Sequence, residues 1–136
     1  MAHLFEAIRV AGDADIGILQ ARRVEMIVDS SDTRVCTAAD FGKIIKLTHA
    51  DTVAITLPAN ASPMGAWIDF MLVGDDSLAV TISPATAATL IQLNDATALS
   101  VTFGSGHRIG AACRAFSDGA NWHMLNLSAC TMTVTT

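Results

Sequence analysis

The chain has 136 residues, a length that suits one domain, or one domain with an arm. It is 51% hydrophobic and 15% charged, which excludes disorder over most of its length, because disordered chains are apolar-poor and charge-rich. The net charge of −5 is spread along the sequence and Arg22-Arg23 is the only adjacent pair of cations, so no basic stripe exists to displace phosphate counterions and no nucleic-acid partner is expected.

No apolar run approaches the roughly 20 residues that span a bilayer, so no membrane partner is expected. Met1 to Glu6 lack a basic start followed by an apolar run, so no signal peptide is expected either. Cys36, Cys113 and Cys130 are odd in number and form no CxxC, which argues for buried, reduced thiols rather than a disulfide framework or a zinc ribbon.

The first 30 residues read as an extended N-terminal arm or short strands. Gly12, Asp13, Asp15 and Gly17 interrupt any helical or strand period. Leu4, Phe5, Ile8, Val10, Ile16, Ile18 and Leu19 are too many hydrophobes for a free tail, and they are the expected partner-binding residues, packing on the body or on another chain. Residues 31–136 form the expected β-sandwich domain.

Strand signals begin at Val24–Asp29, broken by Ser30-Ser31-Asp32. A short run follows at Val35–Thr37, then a single turn at Ala38–Gly42, then a strand at Lys43–Thr48. In Thr52–Leu57, Val53, Ile55 and Leu57 share one face by the period of two, and Pro58 ends the run because it cannot donate to a ladder. Gly65–Val73 is apolar on both faces over part of its length and reads as a central strand, with Trp67 in the core.

After the Gly74–Ser77 turn, Leu78, Val80 and Ile82 point inward and Pro84 closes the strand. Thr89–Leu93 and Ala98–Phe103 are further strands. Ile109–Phe116 and Trp122–Leu127 flank the turn chemistry of Ser117-Asp118-Gly119-Ala120-Asn121 and form a hairpin, with Trp122 capping the end of the sheet. Met132–Thr136 is a last edge strand. Short strands at this spacing imply an all-β fold, an antiparallel β-sandwich or a jelly-roll-like barrel with an extended N-terminal arm.

Few residues invite chemistry. His3, His49, His107 and His123 stand singly, and no serine or cysteine has a patterned base and acid, so no catalytic residue is assigned and the chain is not expected to be an enzyme. Asp75-Asp76 has carboxylates that suit a cation, but a solvated turn is the better reading. Gly104-Ser105-Gly106 lacks the lysine and helix of a phosphate loop. Asp40, Asp51, Asp69, Asp75, Asp95 and Asp118 could in principle supply a glycosidase pair, but nothing selects two of them. Metal and cofactor sites are therefore expected to be absent.

Ala39-Asp40-Phe41-Gly42-Lys43, Ile55-Thr56-Leu57-Pro58, Gly65, Val80-Thr81-Ile82 and Ser117-Asp118-Gly119-Ala120-Asn121-Trp122 stand in an order that resembles the small β-domains of tailed-phage virion proteins. The resemblance covers roughly Thr37 to Ala129 and carries over no active site. It implies a bacteriophage capsid decoration (cement) protein, a homotrimer on the outer surface of the virion, partnered by the major capsid protein and assembled in the host cytoplasm. The alternatives are a tail-fibre or baseplate module that binds a host surface, a carbohydrate-binding jelly-roll module, or a small polysaccharide hydrolase.

Overall fold

A computed structural model describes residues 24–59, 63–74, 79–87, 89–104 and 109–136. The strands are β1 (Met26–Asp29), β2 (Thr33–Val35), β3 (Lys43–Leu47), β4 (Val53–Leu57), β5 (Trp67–Leu72), β6 (Val80–Pro84), β7 (Leu90–Gln92), β8 (Asp95–Ala98), β9 (Ser100–Phe103), β10 (Ala111–Ser117), β11 (Trp122–Asn126) and β12 (Thr133–Thr135). They build two sheets, of order β1-β3-β5-β10-β11-β7-β8 and β12-β9-β6-β4-β2, packed face to face as a β-sandwich.

The alternation read from the sequence places the core. Ile45 and Leu47 of β3 and Ile68, Phe70 and Leu72 of β5 are buried on one inner face, and Val53, Ile55 and Leu57 of β4 with Val80 and Ile82 of β6 are buried on the other. Strand β10 brings small residues, Ala111, Cys113 and Ala115, to the layer that also holds Phe70, Phe103 and Trp122. Small beside large lets the two inner faces interdigitate without voids. β5 is central in its sheet, between β3 and β10, and β12 is an edge, as the sequence implies.

The expected all-antiparallel pairing is not observed, because both sheets are mixed. β1, β3 and β5 are mutually parallel neighbours in one sheet, and β2, β4 and β6 are parallel neighbours in the other. The chain therefore alternates between sheets over its first six strands and winds as a coil of three turns before the β10–β11 hairpin. Ser30-Ser31-Asp32 carries the chain from β1 across to β2 in the opposite sheet instead of folding it back. Period-two patterning fixes which face a side chain takes but not the direction of the neighbouring strand.

Smaller departures also have local causes. Pro84 lies inside β6, buried opposite Leu57, at the last position of the parallel pairing, where a missing N–H costs no ladder bond. Residues Asp95–Ala98 form a separate strand, because Leu93 and Asn94 adopt φ of 46° and 68° and reverse the chain after β7. Among the described residues, no helix is long and apolar enough to cross a membrane.

Candidate functional site

The most distinctive surface is the outer face of the seven-stranded sheet. Because Ile68, Phe70 and Leu72 point inward, period two sends Trp67, Asp69 and Met71 outward. The register places Asp69 beside Arg114 of β10 on one side and Ile44 of β3 on the other. Leu125 of β11 follows beyond Arg114, and Phe116 lies opposite Trp67.

Two strong contacts organise this face. Arg114 holds Asp69 in a fork, Nε to Oδ1 at 2.6 Å and Nη2 to Oδ2 at 2.8 Å. The same guanidinium lies 4.4 Å from the centroid of the Trp67 ring, a cation–π stack. The hydrogen bonds from Arg114 to Asp69 raise the arginine's pKa further. Around this centre Met26 of β1, Phe116 of β10 and Leu125 of β11 are exposed, with Lys46 of β3 and His123 of β11 on the same face. Trp and Arg on a face of this kind are the residue types that anchor protein–protein contacts.

The two tryptophans thus exchange the roles expected from the sequence. Trp67 is half-buried on the outer face, while Trp122 is fully buried and donates Nε1–H to the Pro58 carbonyl at 2.9 Å. The parity of each strand decides this. Asp69 marks the outward side of β5, whereas His123 and Leu125 mark the outward side of β11 and leave Trp122 inward.

A second cluster closes the core at the end formed by edge strands β1 and β2. Arg34 faces inward there and bridges two buried carboxylates, Asp29 Oδ2 and Asp40 Oδ1, each at 2.6 Å. Burial alone would raise the Asp29 pKa, but the Ser31 backbone N–H and Arg34 outweigh it and hold the group below its ordinary value. Asp40 also accepts from the Thr37 backbone N–H at 2.8 Å, completing a capping box on the 3₁₀ turn at Ala38–Asp40. Arg34 Nε is buried with no hydrogen-bond partner among the described residues. The cluster ends the coil with a polar layer, as terminal units of repeating β-folds do. It is a structural clamp with both carboxylates already paired.

The other singled-out residues are dispersed. His123 Nε2 meets Asp118 Oδ2 at 2.7 Å, and this contact leads the causes that hold the Asp118 carboxyl well below the usual carboxylate range. His49 Nδ1 accepts from the Asp51 backbone N–H at 3.1 Å, and Asp95 Oδ1 accepts from the Thr97 N–H at 2.8 Å, both local turn contacts. Asp40, Asp69 and Asp118 each have a cationic or imidazole partner and gather at no shared centre. Burial pushes the Cys36 thiol up to about 12 and raises Cys113 as well. Among the described residues, no three His, Cys, Asp or Glu side chains are placed to hold a metal ion.

Leu4, Phe5, Ile8, Val10, Ile16, Ile18 and Leu19 lie outside the described residues, as do His3, Asp75-Asp76, Ser105-Gly106 and His107. The Arg114–Asp69–Trp67 centre was not singled out from the sequence. Its signal was present as outward positions Trp67, Asp69 and Met71, legible once β5 is given the parity of Ile68, Phe70 and Leu72. No family model and no curated protein matches the chain.

Proposed function

We propose that this chain is a structural protein that works by contact: a capsid decoration protein that bridges capsid subunits on a tailed-phage head and stabilises the shell. One observation carries the contact part of this reading. The outer face of the seven-stranded sheet exposes Met26, Phe116 and Leu125 around a preorganised Arg114–Asp69–Trp67 group. Exposed large apolar side chains gathered on one sheet face are the kind of surface that marks interaction sites in folded proteins. The location on a phage head rests on the sequence resemblance from Thr37 to Ala129.

The mechanism is mechanical. Burial of about 1,200–2,000 Å² in total makes a specific, stable contact. Several copies engaged at once, as in the trimer the resemblance implies, multiply modest contacts through effective concentration. A glycan-binding module draws less support, because one face of the Trp67 ring already carries the Arg114 guanidinium and is closed to a stacking sugar.

The test is reconstitution. Shells of the major capsid protein that lack this chain are mixed with the purified protein, and density is sought by cryo-EM. The expected result is stoichiometric density on the outer surface and a higher temperature of shell disruption. Binding to host cells or glycans with none to shells would move the chain to the tail and end the capsid reading.

A further inference from the structure

The parallel strands wind as a coil whose turns shorten toward the N-terminus. In the five-stranded sheet one turn carries Val53 to Val80, and the turn before it carries Thr33 to Ala54. In the seven-stranded sheet the corresponding turns carry Lys43 to Ile68 and Met26 to Ile44. Every strand from β1 to β5 is followed by one in the opposite sheet.

In the five-stranded sheet this winding stops at β2, an edge. The hydrogen bonds of a parallel ladder alternate along a strand, so successive residues face opposite sides. The Asp32 carbonyl accepts from the Ala54 N–H at 2.8 Å, and the Cys36 N–H donates to the Thr56 carbonyl at 2.9 Å, so residues 32, 34 and 36 face β4. Thr33 and Val35 therefore turn their N–H and C=O groups to the other side, where no described strand lies. Such an edge is a template for a further strand. Arg34 and its two carboxylates fill the interior behind it, so backbone is what this edge leaves unpaired.

We propose that residues 16–19 of the same chain add to this edge as one more parallel strand beside β2, so that the coil begins half a turn before β1. The inference goes beyond the contact reading above and does not depend on it.

Position in the chain selects this occupant. The described residues begin at Val24, directly before β1, and in this winding the strand ahead of β1 belongs to the opposite sheet, whose edge on this side is β2. The interval agrees. A turn somewhat shorter than Thr33 to Ala54, taken backwards from Thr33, reaches Ile16. Residues 20–25 then make the crossing between sheets that residues 36–42 make from β2 to β3. The residue types agree as well. Ile16 and Ile18 share one face at the period of two and are β-branched, which favours a strand. Asp15 and Gly17 keep the run short, as β2 itself is at three residues. Gln20, Arg22 and Arg23 suit a crossing exposed to water. So short a connection also holds residues 16–19 near the edge at high effective concentration.

The experiment follows backbone amide hydrogen exchange in the full-length chain by NMR, with circular dichroism to verify folding. Thr33 and Val35 report the edge, and Arg34, whose N–H faces β4, is the internal control. I18P removes an N–H from residues 16–19 and bars the strand. It is expected to speed exchange at Thr33 and Val35 by roughly tenfold or more and to leave Arg34 unchanged. Should I18P fail to fold, I18D gives the deciding reading, since aspartate is disfavoured in strands, and the same two amides are expected to exchange faster.

Equal exchange at Thr33 and Val35 in the wild type and the folded variant overturns the proposal. Protection that disappears on dilution from millimolar to micromolar also overturns it, because the edge then belongs to the arm of another copy. A loss of protection at Met26 and Val28 instead overturns it by putting the segment beside β1. Shell binding is read separately: its absence ends the capsid reading and leaves this strand in place.

Discussion

Arg34 shows how one side chain can hold an edge together. Its guanidinium ties Asp29 of β1 to Asp40 of the 3₁₀ turn, and both carboxylates are buried. Replacing it by methionine strands two buried charges, and the expected cost is about 2–4 kcal/mol in urea unfolding, since removing one partner of a buried pair costs more than the pair contributes. The pH dependence has a defined sign. Asp29 titrates below its ordinary value of 3.8 in the folded chain. Its contribution is therefore complete above about pH 4 and lost as pH falls through the folded value. Thermal melts from pH 7 to pH 3 should hold steady to about pH 4 and then fall, and the fall should be shallower in D29N. The thiols offer a separate check. Cys36 and Cys113 are buried and their pKa values raised, whereas Cys130 is partly open. Iodoacetamide at neutral pH should label Cys130 first, with the other two reacting only as the chain unfolds, as read by intact mass.

At the scale of elements, the β10–β11 hairpin is the part whose local chemistry is most complete. Asp118 Oδ1 accepts from the Ala120 and Asn121 N–H groups, and Gly119 takes a φ of +93°. A Cβ there would sit 3.5 Å from Met64, an ordinary contact, so backbone strain alone sets the cost. G119A should lose about 1 kcal/mol or somewhat more, because L-residues rarely adopt that conformation, and the loss should appear as a lower urea midpoint with unchanged slope. β1 and β2 are a different case. They are edges at the same end of the coil, and Val28 and Val35 are exposed at 64% and 71%. Neither carries a proline or bulge that would discourage an added strand.

At the scale of the whole molecule, both sheets feed one hydrophobic cluster running from Cys36 to Met132, so neither sheet can lose its inner face alone. Urea unfolding should therefore be a single transition. Trp122 reports the core and Trp67 the outer face, so fluorescence of W67F, which leaves Trp122 as the sole indole, should coincide with far-UV circular dichroism. Separate midpoints would mean that the coil of β1 to β6 and the strands after it unfold independently.

Residue order alone determined the all-β class, the positions of most strands and the inward faces of β4 and β6, because a period of two is a local property and burial follows it; the parity of β5, which turns Trp67 outward, and the strand Asp95–Ala98 came only with the structure. The Asp118-Gly119 turn was legible for the same reason, its hydrogen bonds lying within four residues. The parallel winding was not legible, since strand direction depends on whether a connector folds back or crosses, and Ser30-Ser31-Asp32 carries no mark of either. Nor were the pairings that distinguish the outer face. Asp69 and Arg114 are 45 residues apart, and only the antiparallel register of β5 with β10 brings them into a fork above Trp67. Contacts within a turn are written in neighbouring residues, whereas contacts across a sheet exist only after the chain has chosen its partners.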